Sequence, residues 1–550
     1  MVKPTRYTKE MIDEYLNKGL WRKESIADLW DRNARLIPQE EALVDSKGRL
    51  TWLQVKDLSD RIALGFLKMG YKKDEVIHVI LPNCNDSFVV RLACEKAGIL
   101  ALTSLMTLRE AELEYVIKTF EVKGIVLPWK FRNFDYYQAV TDMRSRLTSL
   151  KDIFVAGDEV PPGTNSIEQM KREPKTQEFP VALLEKTRYT STEVVTIGLT
   201  SGTTGLQKTA EHMPANRIAT GTAYQRVVKL TGHDIVLNCI NAVAGRGGAF
   251  CYSQPEIGAK TICVEIWNAG EALKLLEREK ATIMFTAPAQ LAMLVNHPDF
   301  GKYDHSSLRC IVCSTSPLEK DLIIEAEKKL GVPILNGYGS FDGGGVSGTT
   351  LDDDIETRHN TMGRPYPGVE IKVIDENGNQ VPVGQEGELI YRGPLTTAGY
   401  YRDMAKTLET WGTLGKEGWF HSGDIVKLDG NGNLVISGRK KDMIIRGGQN
   451  IYPIEIEELL VTHPKVDKVA VVAMPDPIMG EKACAYVVPK GKGKLRFDEM
   501  KSFLQSKRIA PYKIPERIEY IDEIPMQNFK ITKKVLREDV AKKLKSEGKI

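Results

Sequence analysis

Residues 195–208 read VTIGLTSGTTGLQK, a short apolar run passing into Thr200-Ser201-Gly202-Thr203-Thr204-Gly205-Leu206-Gln207-Lys208. Six of the nine residues from Thr200 to Lys208 are Gly, Ser or Thr, which expose backbone N–H groups and hydroxyls without bulk, and Lys208 closes the run with a positive charge. That combination grips a polyphosphate. It misses the P-loop pattern by one residue, because Gln207 stands where the second glycine belongs. A Ser/Thr/Gly-rich surface turn is the alternative.

Upstream of this run, helical patterns such as 25–37 (SIADLWDRNARLI) and 57–70 (DLSDRIALGFLKMG) alternate with short β-rich runs, EALVD and EVIHVILP. The same grammar continues through GIVLP, KDIFVAG, ATIMFTAP and LRCIVCS, brief apolar runs of the kind buried parallel strands require. After about residue 360 the texture becomes alternating apolar and polar between Gly, Asn and Pro turns, which predicts antiparallel strands in a small sheet or barrel. The spacing predicts an α/β chain: a large N-terminal domain, 1–440, of layered α/β subdomains plus a small β-barrel-like part, then a small α+β C-terminal domain, 441–550.

Composition excludes disorder and fibres: 42% apolar, 27% charged, and 76 basic against 73 acidic residues for a net +3. So balanced a chain carries no general footprint for nucleic acid or membrane. The eight cysteines are scattered through apolar segments and read as reduced, the first residues lack the apolar run of a signal peptide, and no span-length apolar stretch occurs. The expectation is a cytoplasmic protein.

Seven segments in order resemble the adenylate-forming superfamily of acyl- and aryl-CoA synthetases, peptide-synthetase adenylation domains and luciferases. The 200–208 run matches its [ST]SG[ST]TGxPK loop except at Gln207. NGYGSFD (336–342), MGRPYPGVEIKV (362–373), GELIYRGPLTTAGYY (387–401), GWFHSGD (418–424), GRKKDMIIRGGQNIYPIEIE (438–457) and KITKKVLR (530–537) follow. YLNKGLWRKES, LPNCNDSFVV and APYKIPERIEY add a likeness to the aryl-acid ligase branch.

The resemblance implies an AMP-forming carboxylate–CoA ligase for an aryl, cyclic or medium-chain acid, with ATP and CoA as cosubstrates and Mg2+ as cofactor. Thr200, Ser201, Gly202, Thr203, Thr204, Gly205 and Lys208 would hold phosphates; Asn336, Gly337, Tyr338 and Gly339 would flank adenine. Asp424 and Arg439 would take the ribose, Lys530 would bridge carboxylate and α-phosphate as the catalytic lysine, and Asp342 would meet the metal. Lys441 would be the hinge of a mobile C-terminal domain, and Arg446, Gly447 and Gly448 would receive CoA. The acid pocket would include Ala242, Val243, Ser314, Thr315 and Ser316, where small residues in place of the ring-hydroxyl partners of hydroxybenzoate ligases leave room for an unsubstituted ring or chain. Arg246 is either a partner for a second carboxylate or solvent-facing.

Partners are then small molecules, with neither nucleic acid nor a membrane span, and a homodimer is compatible. Competing readings are an enzyme loading a carrier-protein thiol, a P-loop NTPase, and a weakened nucleotide-binding relative, motivated by Gln207, Asp342 and Phe529. Gly343–Gly348 formally fits GxGxxG, and Cys310/Cys313 form a lone CxxC; both read as structural. His212 reads as an ordinary polar contact or a shaper of the acid pocket.

Overall fold

The computed structural model describes residues 4–173, 178–199, 208–241, 248–316, 318–447, 449–491, 493–507, 509–527 and 530–549. Two compact units emerge: 1–370 with 391–420, and 371–390 with 421–550.

The first unit is built on two sheets. In one, the strands Thr196–Leu199, Leu100–Thr103, Val76–Val79, Gly124–Leu127, Asp152–Val155 and Asn165–Ser166 run parallel, and Thr209–His212 closes the edge antiparallel to Thr196–Leu199. The other has a parallel centre of Glu41–Val44, Lys260–Cys263, Ile235–Asn238, Ile283–Thr286, Cys310–Cys313 and Ile334–Ser340, with antiparallel strands at both edges.

Because successive side chains of a strand point to opposite faces, each sheet feeds two cores. Ile125 and Leu127 join a central core that also takes Phe285, Val312 and Leu335 from the second sheet. Val126 and Phe154 enter an outer core with Trp30, Trp52 and Phe88, while Met284 and Ile311 enter another on the far side of the second sheet. The apolar runs in the sequence are continuous because both faces are buried. The CxxC cysteines fill this interior, Cys310 and Cys313 both fully buried and free.

Every residue of the helix Asn85–Ala97 is buried, its charged residues included. Lys96 is fully enclosed, its Nζ 2.7 Å from Asp31 Oδ1, 2.7 Å from Asp60 Oδ1 and 3.0 Å from Ser59 Oγ.

The amino-terminal segment is tied down at buried polar points. Arg6 Nη2 donates to Thr396 Oγ1 at 2.5 Å, and Trp21 Nε1 to the Pro394 carbonyl at 2.8 Å. Buried Glu211 accepts from Thr5 through both oxygens, from N–H at 2.8 Å and Oγ1 at 2.7 Å. Burial outweighs these bonds and raises its carboxyl to about 7. A carboxyl raised on folding binds more protons in the folded state, so stability falls as pH climbs from about 4.5 to about 7. Glu211→Gln keeps an acceptor and a donor for Thr5 and abolishes this titration. The variant is expected to lack the decline in melting temperature over that window, amounting to about 2–3 kcal/mol in the wild type.

In the second unit the long hairpin of Val466–Asp476 and Gly480–Pro489 pairs Val471 with Ala485, and Arg517–Tyr520 adds in parallel. Val469, Val471 and Ala485 pack under the helices Pro453–Val461 and Phe497–Ser506. Val472, Cys484 and Tyr486 meet Leu536, Val540 and Leu544 of the basic helix Lys533–Ser546. That helix therefore packs on its own unit, with Val535 pointing outward, 48% exposed. A four-stranded sheet, ordered Glu370–Ile374, Gly387–Arg392, Phe420–Leu428, Leu434–Arg439, supplies the small β part. No helix among the described residues is long and apolar enough to cross a membrane.

Candidate active site

The segment expected to grip phosphate connects two neighbouring antiparallel strands, with Leu199 opposite Thr209. Thr200, Ser201, Gly202, Thr203, Thr204, Gly205 and Gln207 lie outside the described residues; Lys208 lies within them. A P-loop runs from its strand directly into a helix. Here the chain returns as the strand Thr209–His212, and the helix Pro214–Val228 starts only afterwards, which removes the P-loop NTPase reading.

Lys208 emerges beside two side chains distant in sequence. Its Nζ is 4.0 Å from Asp342 Oδ2, 3.4 Å from Tyr400 Oη and 5.1 Å from the Tyr400 ring centre. Tyr400 donates its hydroxyl to the same Asp342 oxygen at 2.7 Å, and burial together with the Asp342 charge holds its phenol far above the ordinary value. Thr397 donates its hydroxyl to the Asp342 carbonyl. Asp342 is a hard oxygen ligand whose Oδ2 is engaged, and among the described residues no three His, Cys, Asp or Glu side chains gather as a metal cluster. One carboxylate suits Mg2+, which is commonly held by one or two carboxylates plus substrate phosphates.

Asn336, Gly337, Tyr338 and Gly339 lie in the strand Ile334–Ser340, which turns back through Gly343 into Gly344–Gly348. The glycines serve close packing: Gly344 has φ +92°, and a Cβ there would collide with the Leu395 carbonyl. The GxGxxG match is thus a hairpin without the following helix of a dinucleotide fold. Asn336 is buried, its N–H donating to Thr349 Oγ1 at 2.8 Å, and a Cβ at Gly337 would press on the Tyr224 hydroxyl at 3.0 Å.

Of the expected acid-pocket residues, Ala242 and Val243 lie outside the described residues, as does Arg246. Ser314 and Thr315 follow the strand Cys310–Cys313; Ser314 Oγ is buried with no hydrogen-bond partner among the described residues, Thr315 has φ +92°, and Ser316 is half-buried. A β-branched residue in that region of backbone space is strained. Thr315→Gly is expected to stabilise the protein by about 1 kcal/mol, the relieved strain less the glycine's entropy, measured as a shift in the denaturation midpoint.

In the second unit Asp424 faces Arg439 across paired strands, with Arg439 Nε 2.9 Å from Asp424 Oδ1. Beside them, Glu388 takes His421 at 3.4 Å and Lys440 at 2.8 Å; the His421 contact first, then Lys440, draws its carboxyl down to about 2 despite partial burial. Lys441 sits in the turn Lys440–Asp442 directly after Arg439, its carbonyl accepting from Arg537 at 3.1 Å and its ammonium depressed by burial and then by Arg439. Arg446 is 2.7 Å from Glu516, and Gly447, at φ +55°, approaches Met479 too closely for a side chain. Gly448 lies outside the described residues. Lys530 begins the short strand Lys530–Ile531, with its backbone opposite Gln527; its side chain lies outside the described residues.

Sequence reasoning quoted the segment that holds Tyr400 but gave that residue no role. It missed Arg217 too, and His212, expected to make an ordinary polar contact, makes none among the described residues: both ring nitrogens are buried without a partner.

The model of the AMP-binding enzyme family matches residues 30–401, and that of the AMP-binding enzyme C-terminal domain matches 455–529. A medium-chain fatty-acid–CoA ligase of Escherichia coli (strain K12) is 32% identical over 536 residues, covering 96% of this chain and 93% of the relative. A 2,3-dihydroxybenzoate–AMP ligase of Bacillus subtilis (strain 168) is 29% identical, covering 98% of both. Among solved structures, the anthranilate CoA ligase AuaEII in complex with anthranoyl-AMP superposes with a TM-score of 0.83 at 23% identity, over 96% of this chain and 98% of the other. ATP-bound MatB from Rhodopseudomonas palustris gives 0.82 at 24%, over 94% and 99%. These two share the fold. With the family model matched across two thirds of its length and a relative 32% identical over nearly all of it, the chain belongs to the AMP-binding enzyme family.

Proposed function

We propose that this AMP-forming ligase joins an aryl, cyclic or medium-chain carboxylic acid to CoA in two steps at one set of residues. A carboxylate oxygen attacks the α-phosphorus of ATP, the bond to the β-phosphate breaks, and pyrophosphate leaves with the electron pair. The CoA thiolate then attacks the acyl carbon and AMP departs. The first step brings two anions together, so positive charge and positioning dominate it.

The observation that carries this reading is Lys208, the cation ending the Gly/Ser/Thr run, held beside Asp342 and Tyr400. In the proposed roles, Thr200 to Gly205 and Lys208 hold the β- and γ-phosphates, Asn336 to Gly339 line the adenine, and Asp424 with Arg439 takes the ribose. Lys530 offsets charge on carboxylate and α-phosphate together. Asp342 would hold Mg2+, which would supply charge neutralisation for the phosphates. Ser314 to Ser316, with Ala242 and Val243, border the acid; Arg446, Gly447 and Gly448 receive CoA; Lys441 is the pivot between half-reactions, at the start of a C-terminal domain from 441. We place the protein in the cytoplasm, where CoA and ATP are available.

The test is pyrophosphate release across benzoate, hydroxybenzoates, cyclohexane carboxylate and C2 to C10 fatty acids, with and without CoA. Acid-dependent release with acyl-CoA formation is expected. The Bacillus relative, named as an AMP ligase, motivates a second reading in which the thiol belongs to a carrier protein. Release of pyrophosphate without acyl-CoA, and acyl transfer to a phosphopantetheine carrier, would establish that reading instead.

A further inference from the structure

Arg217 is the fourth residue of the helix Pro214–Val228, nine positions after Lys208. Its guanidinium carbon lies 5.2 Å from the centre of the Phe341 ring and 5.3 Å from that of buried Tyr252. Its five N–H donors lie in one plane, and the ring faces attract the charge without supplying a carboxylate. No carboxylate among the described residues pairs with Arg217, and its Nε is buried with no hydrogen-bond partner. The nearby Arg91, 5.6 Å from the same Tyr252 ring, differs in having Glu95 at 3.5 Å.

The remaining neighbours supply no counter-charge. His212 is fully buried, edge-on to Phe341 at 4.9 Å between ring centres, and burial with the Arg217 charge keeps its imidazole neutral. Asp342, the residue after Phe341, turns its carboxylate to Tyr400 and Lys208. Gly198, on the strand entering the phosphate segment, leaves the space that the Phe341 ring occupies. Among the described residues the cluster is therefore two aromatic faces, a neutral imidazole and one cation without a carboxylate partner, in the unit that carries Lys208. Arg217 is half-buried, with its Nε enclosed and unpartnered, and an anion arriving from its open side would supply the missing partner.

We propose that Arg217 determines specificity by receiving a second carboxylate on the acid substrate, so that the enzyme activates dicarboxylic acids whose apolar body lies against half-buried Phe341. This rests on the acid–CoA ligase reading above. The aromatic walls favour an acid over a phosphate of ATP, whose charge is matched by Lys208 and the loop before it.

The experiment pairs each monoacid with its diacid: hexanoate with adipate, octanoate with suberate, cyclohexane carboxylate with cyclohexane-1,4-dicarboxylate. Pyrophosphate release is measured for wild type, Arg217→Met and Arg217→Lys, with melting temperatures confirming folding. Wild type is expected to prefer the diacid of at least one pair. Arg217→Met should lower kcat/KM for that diacid about 10²-fold while leaving the monoacid and the KM for ATP unchanged, and Arg217→Lys should recover part of the loss. A wild type that prefers the monoacid in every pair overturns the proposal, as does an Arg217→Met variant that loses both acids equally or raises the KM for ATP. Calorimetric titration of the diacids separates the two readings. Heat with wild type and none with Arg217→Met, where no acid yields pyrophosphate, upholds the anion site and sinks only the ligase reading; no binding and no release sinks both.

Discussion

Lys530→Ala is expected to cut acid-dependent pyrophosphate release by about 10²–10³-fold, the effect of losing one preorganised donor to developing charge. In the role proposed for Lys530, its ammonium would offset the repulsion that is greatest as carboxylate and α-phosphate meet, so the loss is expected in kcat of the first half-reaction. Thioester formation from a preformed acyl-adenylate should survive, because that step replaces AMP and brings no second carboxylate to the phosphorus. Single-turnover measurement of the two steps checks this. Equal loss of both, with a lowered melting temperature, would mark Lys530 as a structural residue of its strand.

The largest effect on stability is expected at Lys96. Its ammonium makes three contacts inside the first unit, and removing it leaves Asp31 and Asp60 buried around a void. Breaking a buried pair from one side costs about 3–5 kcal/mol, because the remaining charge is neither solvated nor matched. Arg188 at 3.1 Å from Asp31 and Lys56 at 2.5 Å from Asp60 remain, which places Lys96→Ala toward the lower end of that range. Adding Asp31→Asn and Asp60→Asn should recover part of the loss. Lys9→Ala, in an exposed pair with Asp13, is the control and should leave the thermal midpoint unmoved.

Lys96 also marks the limit of what the sequence discloses. The strands Gly124–Leu127, Ile283–Thr286 and Cys310–Cys313 were legible because burial on both faces writes an unbroken apolar run into the chain. The 200–208 run stood out because it sets small hydroxylated residues in succession before a lysine. Lys96, Arg217 and Glu211 were not, since a charged residue in a helix or strand reads as solvent-facing until the elements against it are known. Their partners lie far along the chain: Glu211 meets Thr5, and Lys208 meets Tyr400. The N–H that satisfies a carboxylate two hundred residues away leaves no periodicity to read. Val535 shows the converse, an apolar residue that the packing of Leu536, Val540 and Leu544 leaves outside.

The hairpin that encloses the phosphate segment governs which insertions and deletions the protein can accept. Thr196 opposes His212 and Leu199 opposes Thr209, and both sides of the returning strand are committed: Glu211 to Thr5, His212 to the contact with Phe341. A deletion absorbed by sliding that strand one position would exchange their directions, setting a carboxylate against Phe341 and an imidazole against Thr5. The loop's length is therefore fixed, while Gln207 marks a position within it that admits exchange. Descendants of this chain should differ there by substitution, and a library built to retune it should vary composition at constant residue number.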